Sequence, residues 1–350
     1  MKNTRIYLLI FTLLLVVTSC KQRGRGVLTP TSSGRPYEIL VVIDDKVREG
    51  EAGKALFEVL RSNVPGLPQP ESSFKPMFST LENFTGILKP IRNIIVVLID
   101  PTMYTEAKFN GATDVYAFPQ SVLTIQAPSE ETFKEYVETN GQAILDYFTR
   151  AEMSRQMHIL EKNHSQMISN TIREKFGCEV WLPSELTASK DAEDFFWVGT
   201  NDGVSDRYFV MYSLPYHDSD AFTQEYFFNK RDSVMKVNIP GEAEGMYMKT
   251  VREFTKTKII DVQGEYTLEA RGLWQIHNDQ MGGPFVSHMR LDKLNNKLII
   301  VEAFVYAPEK FKRNLMRHME ASLYTLRLPE SLQKATEDAD EEDIKENLNE

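Results

Sequence analysis

Cysteine is nearly missing from this 350-residue chain, which has two, Cys20 and Cys178. No disulfide framework staples such a fold, and a lone Cys178 between Gly177 and Glu179 reads as a small buried apolar residue. A catalytic thiolate would want a nearby histidine and a lowered pKa, and no papain-like signature surrounds Cys178. Long apolar runs are equally scarce. The longest, Ile6 to Val17, is too short to span a bilayer comfortably as a helix of about 20 residues. The next, Ile94 to Ile99, is strand-sized and is stopped by Asp100-Pro101. Positive charge is in deficit: 40 Lys and Arg face 50 Asp and Glu, a net charge of −10. That balance argues against a nucleic-acid partner. The phosphate-cradling GxxxxGK[ST] and GxGxxG loops, the metal-binding HExxH pattern and the GxSxG and SxxK nucleophile motifs are absent in any supporting context. No cofactor, no metal and no catalytic residue is therefore expected, and an enzymatic role is disfavoured.

What is present begins with an address. Lys2 and Arg5 precede the apolar run, and small residues follow it, the layout of a secretory signal. Val17-Thr18-Ser19-Cys20 resembles the lipobox of bacterial lipoproteins, an apolar residue and two small ones before the cysteine. That resemblance implies that residues 1–19 are a signal peptide and that Cys20 becomes the first mature residue, acylated on its sulfur and amino group. The alternatives are an ordinary signal peptide with a chance cysteine, or a buried signal anchor. Acyl chains contribute about 0.8 kcal/mol per buried methylene, so the lipid bilayer becomes a partner without any membrane-spanning helix. The segment after Cys20 is basic, KQRGRG. Surface-exported lipoproteins of the Bacteroidetes type carry an acidic stretch there, so the periplasmic face of the outer membrane is the expected location.

Removing Lys2 and Arg5 takes the net charge from −10 to −12. The stretch after Leu332 holds eight acids against two lysines, half of that charge. Residues 331–350 thus read as an acidic disordered tail, and residues 20–35, rich in Gly, Ser, Thr and Pro, as a flexible tether. Two halves lie between them, 36–150 and 151–330.

Apolar periodicity predicts strands near 37–43, 74–81, 93–99, 115–118 and 122–126, with a helix over 52–62 and helical structure from Glu130 towards Phe176. Asn140-Gly141 and Asn163-His164-Ser165 are its candidate breaks. The second half reads as strands near 195–199, 208–214, 246–251, 259–262, 266–276, 285–291 and 298–306, with helices over 220–235 and 308–324. Consecutive strands and hairpins argue for an α+β fold of mostly antiparallel sheets with amphipathic helices packed on one face. In both Thr124–Lys134 and Phe304–Lys312 a strand passes through Ala-Pro towards a helix, which suggests two related halves.

The densest polar cluster runs from Arg271 to His288. His277, Asp279 and His288 could form an acid/base pair or metal site, while Gly282 and Gly283 admit close backbone approach. The plainer alternative is a turn between two strands, with His277 on the polar face. Trp274, His277, Asp279, Gly282, Gly283 and His288 are thus a candidate ligand or docking loop. For docking, Trp274 or Phe285 should be exposed. Elsewhere, Tyr216–Asp220 reads as a helix cap before a metal cluster, Gly199–Gly203 as a loop, and Asp232-Ser233-Val234 as a chance match to a three-residue O-glycosylation motif inside a helix.

With the lipobox, the stretches GRPYEILVVID, RNIIVVLID, RGLWQIHNDQMGGPFVSH and VEAFVYAP resemble a Bacteroidetes-type lipoprotein family of unknown function. The resemblance covers most of the mature chain except the acidic tail and brings no activity or site residues with it. The sequence therefore reads as a membrane-anchored envelope lipoprotein with a binding or scaffold role towards envelope proteins. The rival is an envelope hydrolase with its site around His277, Asp279 and His288.

Overall fold

The structure is a computed structural model that describes residues 29–200 and 203–334. The signal peptide, Cys20 and most of the acidic tail lie outside the described residues.

The first half contains β1 (Glu38–Val42), α1 (Asp45–Glu49), α2 (Glu51–Arg61), β2 (Lys75–Ser79), β3 (Asn93–Ile99), β4 (Lys108–Thr113), β5 (Ser121–Ala127) and α3 (Glu130–Asn163). Its five strands lie in the order β2-β1-β3-β5-β4. The pairings of β1 with β2, β1 with β3 and β3 with β5 are parallel, and β4 runs antiparallel to β5. Parallel neighbours follow from the helical crossover between β1 and β2, and they explain why β1 and β3 read as unbroken apolar runs: both faces are covered. Helices α2 and α3 cover one face, over Ile39, Val41, Ile95 and Ile125. The other face, with Leu40, Val42, Ile94 and Val122, is roofed by Phe84, Leu88 and Tyr116 from loops.

Asn140-Gly141 does not break α3. A Cβ on Gly141 would stand 2.8 Å from a methyl of Val59, so glycine serves the close approach of α2 and α3. The break comes at His164, and Ser165 then caps the next helix by accepting from the Ile168 N–H. Helix α3 therefore runs straight through residue 150, where the sequence suggested a division. Residues 30–33, expected within the tether, are bonded to the fold through Phe118 and Pro90.

The second half contains α4 (Gln166–Phe176), β6 (Ala188–Ala192), β7 (Phe195–Gly199), β8 (Asp206–Pro215), a 3-10 turn (Ser219–Phe222), α5 (Gln224–Asn238), β9 (Met248–Val262), β10 (Glu265–Ile276), β11 (Gly282–Asp292), β12 (Lys297–Tyr306) and α6 (Arg313–Leu323). The sheet order is β6-β7-β8-β12-β11-β10-β9 and its neighbouring strands are all antiparallel. The expected strands near 246–251 and 259–262 are one long β9, which passes a bulge opposite Arg271 to Leu273. Helices α4 and α6 cover one face, over Phe209, Val286 and Val301. Here the one-face expectation fails, because α5 covers the other face over Trp274, Phe285 and Phe304. Strand alternation on β12, with Val301 to one side and Phe304 to the other, requires both coverings. Asp218 caps the 3-10 turn by accepting from the Asp220 N–H at 2.9 Å, whereas α5 itself, the helix for which the cap was expected, is capped by Thr223, which accepts from the Tyr226 N–H.

The fold is thus α+β in two halves, but their strand orders differ, and the Ala-Pro passages end differently. Pro128 leads at once into α3, whereas Pro308 is followed by a turn with Glu309 at φ +60° before α6 begins. The halves meet where the Glu71 carboxylate accepts from the Lys312 and Arg313 N–H groups at 2.6 and 2.9 Å. A carboxylate there satisfies the otherwise open donors at the start of α6 and suits its dipole. Arg317 donates to the Ser73 carbonyl at 3.0 Å and lies over the Tyr37 ring. Among the described residues, no helix is long and apolar enough to cross a membrane.

Candidate functional site

The Arg271 to His288 segment forms the end of β10, a turn over 277–281 and β11. Gly282 and Gly283 belong to the strand, paired with Gln275 and Trp274. Gly283 is needed for packing: a Cβ there would stand 2.0 Å from the Val305 carbonyl oxygen. His277 sits in the turn with its ring against Tyr247, and the Asp279 carboxylate accepts from the Gln280 and Met281 N–H groups. His288 is elsewhere. It pairs in register with Glu269, eight residues before His277, so at about 3.3 Å per residue the two histidines are roughly 25 Å apart along the hairpin. The hydrolase triad of His277, Asp279 and His288 is not assembled. Nor is this an exposed docking loop, since Trp274 and Phe285 are buried.

Trp274 instead helps to wall a cavity of about 510 Å³ at this end of the second sheet. Trp197 stacks on Tyr208 with centroids 5.5 Å apart, Tyr208 stacks on Phe304 at 4.8 Å, and Trp274 meets Phe304 edge-on at 5.5 Å. These rings come from β7, β8, β12 and β10, so the sheet itself holds the wall. Trp274 Nε1 is buried with no hydrogen-bond partner among the described residues. Lys190, Glu242 and Asp279 supply charge around the cavity, and the Lys190 ammonium donates to the Asn238 carbonyl at 2.6 Å. The lining residues include no His, Ser, Thr or Cys. Such a wall can stack rings and offer a few polar contacts. Of this lining, the sequence singled out Trp274 and Asp279, while Trp197, Tyr208 and Phe304 stood only within predicted strands.

A second cavity, about 610 Å³, lies between the halves. Its floor is a buried ion cluster that sequence reasoning missed. Arg271 donates to both carboxylate oxygens of Glu320 and, at 3.3 Å, to Glu269. Burial pushes the Glu269 carboxyl up, but Arg271, His288 and Lys258 together hold it below the ordinary range. Burial lowers His288, whose ring nitrogen lies 3.8 Å from Glu269 and whose ring stands edge-on to Tyr324. The guanidinium of Arg271 is committed to two carboxylates, so the cluster spends its charge internally. Among the described residues no three His, Cys, Asp or Glu side chains gather as a metal set. Cys178 is buried, and burial pushes its thiol up to about 12.

Residues 165–325 match the family model described as a domain of unknown function (DUF4837), and residues 32–161 match another described in the same way (DUF8532). The junction at 161–165 coincides with the end of α3. No curated protein matches. Among solved structures, a point mutant of protein Mog1 and the Saccharomyces cerevisiae Ran-binding protein Mog1p align with TM-scores of 0.29 and 0.28 at 6% identity. Each alignment covers 43% of this chain and 90% of the other, a likeness too low to support a functional reading. The chain is similar, half by half, to two domain families of unknown function.

Proposed function

We propose that this protein is a lipid-anchored binding protein of the bacterial cell envelope, held through acylated Cys20 at the periplasmic face of the outer membrane. It takes up a small ring-bearing molecule in the aromatic cavity of its second half. The observation that carries this reading is the stacked wall of Trp197, Tyr208 and Phe304 closed by Trp274. Its volume of about 510 Å³ is in the range of small-molecule sites. Catalysis is disfavoured because the histidines of the hydrolase reading stand at different levels of the hairpin. Native mass spectrometry of the protein purified from its own envelope checks the proposal. A bound small molecule is expected on the unaltered chain, and its occupancy falls at least tenfold in Trp197→Ala, about 1.4 kcal/mol of lost stacking. A chain that carries no small molecule, or an unchanged occupancy in Trp197→Ala, overturns the assignment.

A further inference from the structure

The anchor and the fold meet at one place. Eight residues separate Cys20 from Thr29, where the described chain begins, so the nine steps reach about 30 Å even when fully extended. A body of this size has a diameter of roughly 50 Å. The chain then joins the fold at a defined spot: the Phe118 N–H donates to the Pro30 carbonyl, the Ser32 N–H to the Phe118 carbonyl, and the Ser33 N–H to the Pro90 carbonyl, all at 2.8–2.9 Å. Those partners belong to the two loops, 80–92 and 114–120, that cover the helix-free face of the first sheet.

Both loops display large apolar side chains to solvent. Ile87 is 88% exposed, Phe118 54%, Leu81 52% and Val115 47%. The loops are fixed to each other, since Phe84 packs edge-on against Tyr116 at 5.6 Å and the Gln120 amide donates to the Lys89 and Ile91 carbonyls. The apolar residues therefore stand on a rigid platform. Charge around it favours an anionic surface. Lys21, Arg23, Arg25 and Arg35 lie between the anchor and Tyr37 without an acid among them, and Lys89 stands on the first loop. The loops also carry Glu82 and Asp114, of which Asp114 accepts from the Gln120 N–H. The second half packs on the opposite, helix-bearing side, where Arg317 lies over Tyr37 and Phe74.

We propose that the helix-free face of the first sheet docks on the bilayer that holds the Cys20 anchor, with Ile87, Val115 and Phe118 entering the headgroup region of an anionic leaflet. Exposed apolar side chains flanked by cations bind membrane surfaces in this way, to a depth of about 5–10 Å. Docking turns the second half and its aromatic cavity away from the membrane. It rests on the reading of Cys20 as the anchor.

The test separates the two claims. The intact mass of the protein purified from its envelope reports whether Cys20 is acylated. For docking, the mature chain is coupled through the Cys20 thiol to a maleimide phospholipid, in vesicles of phosphatidylethanolamine and phosphatidylglycerol with brominated acyl chains; Cys178 is buried and does not compete. The outcome then does not depend on acylation in the cell. Ile87→Trp and Phe118→Trp should each show added emission quenched about twofold or more by the brominated chains, as expected at that depth. Phe254→Trp, an exposed site on the second half, should not be quenched. Equal quenching at the three positions, or none at positions 87 and 118, overturns the docking face. So does protection of these loops only when envelope proteins are added, which would make the occupant a protein.

Discussion

Glu302→Gln probes a fully buried ion pair. Arg231 on α5 and Glu302 on β12 are both fully buried, and the guanidinium donates to the two carboxylate oxygens at 2.8 and 2.7 Å. Arg231 also donates to Thr250 Oγ1 at 2.9 Å and lies 4.0 Å over the Phe285 ring. Burial pushes Glu302 up from the ordinary carboxylate value, with the guanidinium opposing it, and the two parallel bonds are those of an ion pair. Glutamine keeps the shape but leaves the cation without its counter-charge. Breaking a buried pair from one side costs about 3–5 kcal/mol. With a guanidinium m-value of about 4 kcal/mol/M, the unfolding midpoint should fall by about 1 M. The chain's three tryptophans, Trp181, Trp197 and Trp274, all lie in the second half, with Trp181 packed near Met153 and Leu160 of α3, so their fluorescence follows the unfolding of that half and of its contact with α3. The double replacement Arg231→Met with Glu302→Leu removes both charges and should recover most of the loss. Refutation would be a Glu302→Gln cost under about 1 kcal/mol, or a double variant as unstable as the sum of its single changes.

Two further outcomes follow from the same structure. Burial lowers both His288 and His318 below the ordinary value of 6.5, so the unfolded chain binds more protons; stability is full above about pH 6.5 and is lost as the pH falls through the lowered values. Chemical denaturation between about pH 7.5 and pH 5 should show this slope, and His288→Gln should flatten it, before the lowered Glu269 begins to act at more acid pH. Gly283→Ala should destabilise the second half by about 1–3 kcal/mol in the same fluorescence assay, because its Cβ meets a backbone carbonyl that cannot retreat, whereas Gly86→Ala, with open space around it in the first half, should be nearly neutral when unfolding is followed by circular dichroism.

The amphipathic periods of α2 and α4 and the unbroken apolar runs of β1 and β3 marked those elements from sequence, because each is a local pattern that needs one or two apolar faces. The helix stop at Asn163-His164-Ser165 was legible for the same reason: its cap is made within a few residues. Gly141 misled, since its reason lies on a different helix, at Val59. The parallel pairing of the first sheet was hidden because strand direction depends on where the crossovers return.

The candidate site divides along the same line. Trp274 and Asp279 line the aromatic cavity, but their neighbours Trp197, Tyr208 and Phe304 are spread over more than a hundred positions and meet only when β7, β8, β12 and β10 align. His277 and His288, near in sequence, are carried apart by the extended rise of one hairpin. By itself the sequence determined the α+β composition of the chain, the unpaired Cys178 and the expectation of an anchor at Cys20, all properties of composition and short-range pattern. Only the tertiary structure decided strand direction, the aromatic wall, the Glu269–Arg271–Glu320 cluster and the exposed face beside the tether, because each joins residues whose separation along the chain says nothing about their distance in space.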